Sequence, residues 1–455
     1  MEILSSYNLI IGISLTIILS FLFNSVSKKT KVPAVLMLIV LGIIFQYLLK
    51  GFSDVEVDYS KEFFPILEVL GIFGLIMIVL EAALELELKR EKLIPILKAL
   101  GVALVGLVAS AWVAALILYW LIPNMSMQSA WLYATPISIL SSAIIIPSVA
   151  GLSDVKKEFH VYESTFSDIL GIMLFYFLTG QINSLESSGS GVAGFFGNLL
   201  LTIVISLVAS YVLILIFQRI KSQVKLFLLI AVLLLLYALG KKMHLSSLII
   251  ILIFGLVITN MKLFFKGKLG ELLHFEKAKA IHHELHVITA ETAFVVRTLF
   301  FVIFGITIVL SSLFNLRVAL VSLLVIVSIY VIRYVLLRLF IGRDISPQLF
   351  IAPRGLITVL LFYAIPVEAQ VATFEPGILL FVIITTSLIM TWGMIRNNKQ
   401  EELENIEEPL DENLIIKEDN DLESVEPIID KKILNNRLDN NSSNESFDEE
   451  DLINH

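Results

Sequence analysis

The sequence predicts an all-α polytopic membrane protein with about thirteen transmembrane helices. Three observations carry that prediction. First, 57% of the 455 residues are hydrophobic and 16% charged, whereas a soluble chain is about 45–50% apolar and about 25% charged. Second, apolar runs of roughly 17–25 residues follow one another, each long enough to cross a hydrocarbon core of about 30 Å. Third, Lys and Arg alternate between the two sides of those runs. One side holds eighteen, among them Lys28, Lys29, Lys89, Arg90, Lys156, Lys157, Arg219, Lys262 and Arg338; the other holds five, Lys50, Lys61, Lys241, Lys242 and Arg317. The richer side is expected to be cytoplasmic, with the N-terminus outside and the C-terminal tail inside, in a cell (inner) membrane.

In order, span one (6–26) has no basic stretch before it and no small-residue cleavage site, so it is expected to be retained. Spans two to four (33–50, 63–86, 95–122) are apolar runs of bilayer length. Span five (129–151) contains Pro136 and Pro147, with five hydroxyl side chains from Ala134 to Ser148. Proline removes a backbone donor, and an interrupted helix is tolerated at membrane depth only where it lines a polar cavity or is buried in protein. Span six (159–181) opens with Glu163-Ser-Thr-Phe-Ser-Asp168. A Gly/Ser-rich linker, Ser184–Gly194, leads to spans seven to nine (194–218, 224–240, 244–261). The charged stretch Lys262–Thr289 is expected to form an amphipathic surface helix. Spans ten and eleven are 289–313 and 317–340. Span twelve (349–367) carries Pro353-Arg354-Gly355, and span thirteen is 376–396. Residues 397–455 hold 19 acidic and 5 basic side chains. That composition cannot bury a core, so an acidic, disordered tail follows the 1–396 membrane domain. Spans five and twelve lie seven apart. Six-helix inverted repeats, spans one to six against eight to thirteen, would bring two broken helices together near the midplane.

Candidate functional residues follow from the cost of intramembrane charge, about 2.5–3.5 kcal/mol on insertion scales, which marks such groups as functional. Asp168 and Ser164 are four residues apart and share a helix face. Glu163 points about 140° away. Asp168 is therefore expected to be the ion and proton carrier and Glu163 a structural anchor. Glu81 and Arg297 either pair or snorkel separately to the headgroups. His282, His283 and His286 flank Glu284; the zinc-protease spacing is one residue short, and a pH-sensing role is the other option. With no cysteine in the chain, thiol chemistry, disulfides and Cys-bound zinc are excluded. No nucleophile–base pair lies in the spans, so an enzyme is not expected. The tail has no glycine, which excludes a GxGxxG nucleotide-binding module. No nucleic-acid partner and no cofactor are expected.

Several patches together resemble the monovalent cation–proton antiporter family, the sodium/proton exchangers. They are Phe73–Leu88 ending Ala83-Leu-Glu-Leu, Thr135-Pro136, Glu163-Ser-Thr-Phe-Ser-Asp168, Arg297-Thr-Leu-Phe-Phe-Val-Ile-Phe-Gly305 and Pro353-Arg-Gly355. The resemblance covers Met1 to about Arg396. It implies a homodimer with a core bundle moving like an elevator and an ion site at the crossing of the broken helices. It implies that Asp168 alternates between a cation and H⁺, with Ser164, Thr135, Ser167 and carbonyls near Ala134 as the oxygen surroundings, and that Glu163 pairs with Arg354. Two positions depart from the family: Ser167 stands where it has Asn or Asp, and Thr135 where it has Asp. Only Asp168 is then a clear carboxylate at the site, which favours electroneutral 1:1 exchange of Na⁺ (or Li⁺ or K⁺). A potassium/proton exchanger and a non-transporting regulatory protein of the same fold are the alternatives.

Overall fold

The structure, a computed structural model, describes residues 6–30, 32–52, 59–88, 90–183, 192–220, 225–242, 247–265, 275–308, 312–313 and 315–407. Among them the ordered elements are helices, as the apolar composition requires, since a helix satisfies its own backbone in lipid. The first four are α1 (Ser6–Thr30), α2 (Ala34–Phe52), α3 (Tyr59–Glu85) and α4 (Leu93–Leu121). The fifth apolar run is two helices, α5 (Met127–Ser138) and α6 (Ser142–Ser148). Then come α7 (Asp154–Asn183), α8 (Val192–Phe217), α9 (Lys225–Lys242), α10 (Ser247–Thr259) and the short α11 (Met261–Phe264). The chain closes with α12 (Phe275–Thr307), α13 (Leu316–Phe340), α14 (Leu356–Tyr363) and α15 (Gly377–Glu407). Eight helical stretches in the described residues are long and apolar enough to cross a bilayer.

Two expectations need correcting. The surface helix expected within Lys262–Thr289 is, from Phe275 onward, the start of α12 itself. At about 1.5 Å per residue its 33 residues span about 50 Å, so its charged first turns lie beyond the apolar core. The second broken span is not two helices. Residues 346–350 form turns, residues 351–355 have no regular secondary structure, and only α14 is helical. Pro347 and Pro353, six residues apart, each remove a backbone donor that a helix there would need. The last helix runs past residue 396 to Glu407; the acidic tail from 408 onward lies outside the described residues, as do 184–191 of the Gly/Ser linker.

Helix α12 packs along both α2 and α3. The α2–α12 crossing is set by two glycines: a Cβ on Gly42 would collide with the Val302 carbonyl oxygen and come within 2.8 Å of the Gly305 Cα, and one on Gly305 would meet the Ile39 oxygen at 2.5 Å. Small residues let membrane helices approach this closely. Backbone cannot step aside as a side chain can. Gly42→Ala is therefore expected to destabilise the protein by about 1–3 kcal/mol, the range for overpacking, read as a lower melting temperature in detergent. An unchanged melting curve would show that the helices do not meet there.

Candidate functional site

The break between α5 and α6 frees backbone groups that have no water to bond. Ile139 and Ser141 are extended, and several of these groups find partners outside their own helix. Arg354 Nε donates to the Ile137 carbonyl at 2.7 Å. The Leu140 N–H donates to Ser167 Oγ at 3.0 Å, and the Ser141 N–H to the Pro353 carbonyl at 3.0 Å. The Ser142 N–H donates to Asp168 Oδ2 at 3.3 Å. Hydroxyls cover carbonyls earlier in α5: Thr135 donates to Trp131 at 2.8 Å and Ser138 to Ala134 at 2.9 Å. Buried backbone groups need such partners, and these come from three segments: α7, the irregular stretch before α14, and α5 itself.

The second break is closed in the same way. The Arg354 N–H donates to Thr386 Oγ1 at 3.2 Å, and its Nη1 to the Ala352 carbonyl at 2.8 Å. At Gly355 the two breaks cross, and a Cβ there would strike Ser141 Oγ and touch Ile144 at 3.0 Å. Glycine is required by that approach; its φ of −158° is not in the left-handed region. The two interrupted segments thus meet as the hydropathy order predicts.

Asp168 faces this crossing and is 3% exposed. Its Oδ2 takes the Ser142 N–H, while the buried Oδ1 has no hydrogen-bond partner. Ser164, one turn before it, donates to the His160 carbonyl at 2.7 Å, which leaves its oxygen lone pairs free. Ser167 and Thr135 are buried and each already holds a backbone partner. Ser142, beside Asp168, also lines a cavity of about 260 Å³ with Ser20, Glu81, Glu85 and Arg297. Glu81 and Arg297 do pair, at 3.0 Å, and Arg297 also donates to the Ala143 carbonyl at 3.1 Å. His282 reaches the Leu84 carbonyl at 3.3 Å, and Glu284 pairs with Lys225 at 3.0 Å.

The expected Glu163–Arg354 ion pair is not formed. Glu163, 1% exposed, is held bidentately by Arg333 of α13, Oε1 to Nη1 at 2.7 Å and Oε2 to Nη2 at 3.1 Å. His160 Nδ1 lies 3.2 Å from the same Oε2. Arg333 in turn donates to the Gln348 carbonyl through Nε and Nη2. Arg354 is instead committed to carbonyls at both breaks. The physical reason is placement: Arg354 directs Nε to the Ile137 carbonyl and Nη1 to the Ala352 carbonyl, while the rigid fork of Arg333 meets both Glu163 oxygens. The sequence reasoning missed Arg333 and His160, yet a signal existed. Arg333 is a charge inside the apolar run 317–340, the same kind of signal that singled out Glu163 and Asp168.

Comparison with known proteins bears on this geometry. Residues 14–395 match the transmembrane family described as sodium/hydrogen exchanger. No curated protein matches the chain. Two solved structures of the sodium proton antiporter MjNhaP1 from Methanocaldococcus jannaschii share the fold. The structure at pH 8 is 20% identical, with a TM-score of 0.62 over 86% of this chain and 99% of that one. The one from an electron-microscopy map is 17% identical, with a TM-score of 0.63 over 90% and 99%. With a family match across most of its length and a crossing of two interrupted segments beside a buried aspartate, the chain belongs to the sodium/hydrogen exchanger family of membrane transporters.

Proposed function

We propose that the protein is a secondary antiporter that exchanges Na⁺, or Li⁺ or K⁺, for H⁺, one for one, with Asp168 as the carrier. The observation that carries this reading is the Asp168 carboxylate: buried, at the crossing, with one oxygen held by the Ser142 N–H and the other unpartnered. A carboxylate oxygen so exposed to the crossing accepts either a proton or a small hard cation, and hard cations take oxygen donors. Ser164, Thr135 and Ser167 supply further oxygens. Glu163 and Arg333 neutralise each other and hold α7 against α13 without entering the cycle. The same reading includes a homodimer in a cell membrane, with the N-terminus outside and the tail cytoplasmic. Purified protein in liposomes with a pH-sensitive dye, challenged with Na⁺, Li⁺ and K⁺ in turn, tests it. Dye response to none of the three would leave a non-transporting role.

Stoichiometry gives a sharper test. One proton leaves Asp168 for each cation that binds, so the cycle moves no net charge. Exchange is expected to be the same with and without a valinomycin-set membrane potential. Cation and proton compete for one carboxylate, so the apparent cation affinity is expected to weaken as pH falls. A rate that follows the voltage would require a second titrating group and would overturn the one-for-one assignment.

A further inference from the structure

A groove of about 500 Å³ runs between α3 and α9, away from the ion site. Its walls are apolar side chains, among them Ile72 and Ile76 of α3 and Leu234 and Tyr237 of α9, and at one end stand Lys241 and Lys242. Both lysines are exposed, and neither has an ion-pair partner among the described residues. They make up two of the five basic residues on the sparsely charged side of the chain, where the orientation rule for membrane proteins disfavours them.

We propose that this groove binds an anionic phospholipid, its phosphate on Lys241 and Lys242 and one acyl chain along α3 and α9. The dimensions agree. Leu234 to Lys242 is eight residues, about 12 Å of helix, close to the ~15 Å depth of one leaflet's hydrocarbon. Charge complementarity selects an anionic headgroup, because basic side chains at the membrane surface are attracted to such lipids. Lysines in a last helical turn also complement the helix dipole, but that role needs no groove. The site touches the transport machinery too. Tyr237 lies in the groove wall and hydrogen-bonds Tyr176, which lies on α7 two turns after Asp168. A lipid seated there therefore bears on the contact between α9 and the helix that carries the ion.

The test is the melting temperature of the full-length protein in detergent with added phosphatidylglycerol or phosphatidylcholine of the same acyl chains. A ligand that binds only the folded state raises stability. Phosphatidylglycerol is expected to raise the melting temperature of the native chain by several degrees and phosphatidylcholine to leave it unchanged. The Lys241→Gln/Lys242→Gln variant, altered only at exposed positions, is expected to lose at least half of that shift. Equal shifts in variant and native chain, equal effects of the two lipids, or no shift at all would overturn the proposal. The cysteine-free chain allows one further check. Disulfide-linked dimers formed in membranes by Val69→Cys, at the groove wall, would assign the groove to a second copy of the chain and overturn the lipid site.

Discussion

Asp168→Asn is expected to reduce cation-driven dye response to the level of empty liposomes for Na⁺, Li⁺ and K⁺ alike. Asparagine keeps the size and an acceptor oxygen for the Ser142 N–H, so the crossing of the two interrupted segments stays intact. What it removes is the charge that neutralises a cation and the group that takes the proton. No other side chain at the crossing can supply either. Ser164, Ser167 and Thr135 are hydroxyls, Arg354 is a cation tied to the Ile137 and Ala352 carbonyls, and Glu163 is held by Arg333. Asparagine keeps the acceptor for the Ser142 N–H and removes a buried charge whose other oxygen is unpartnered, so the variant is expected to melt at or above the native temperature. Exchange at more than a small fraction of the native rate, in a variant that is expressed and folded, would remove Asp168 from its role as carrier.

Breaking the Glu163–Arg333 pair is expected to have the opposite profile, a large loss of stability. Both side chains are buried and joined by two short hydrogen bonds. Removing one partner of such a pair costs about 3–5 kcal/mol, because the other charge is stranded away from water. Glu163→Gln and Arg333→Met should each lower the melting temperature in detergent far more than Asp168→Asn. Their double variant should recover part of the loss, since residues in direct contact are not additive. The comparison that decides the pairing is the same cycle run with Arg354→Ala. The coupling of Glu163 to Arg333 is expected to exceed its coupling to Arg354. A larger coupling to Arg354 would show that the pair forms as the family resemblance implies and not as the structure has it. The Gln348 carbonyl, which takes two hydrogen bonds from Arg333, makes Arg333→Met the more damaging single change.

Helices were legible along most of the chain because lipid imposes one local rule on every segment: enough apolar length and an internally bonded backbone. Pro136 and Pro147 announced the interruption in span five for the same local reason. In the second interruption no helix forms between residues 346 and 355, so the expected broken helix is α14 alone. The charged turns at the start of α12 were read as a separate surface helix, because hydropathy reports where the membrane ends and not where the helix does.

The candidate site was legible as a set of residues and not as a set of contacts. Asp168, Glu163 and Arg354 stood out by themselves, each a charge in an apolar run, and the Thr135-Pro136 and Gly355 positions stood out by backbone chemistry. Which charge meets which depends on helix rotation and on pairs of residues more than a hundred positions apart. Only packing in three dimensions decides those. So the sequence by itself determined a membrane-embedded helical fold with two interruptions and one uncommitted carboxylate. The tertiary structure decided that Arg333, not Arg354, answers Glu163, and that Arg354 instead caps a carbonyl freed by the first break. It also decided that Ser167 clips α7 to that break. The physical reason is that a buried donor or charge must be satisfied by whatever the fold brings within about 3 Å, and short-range sequence patterns do not specify what that will be.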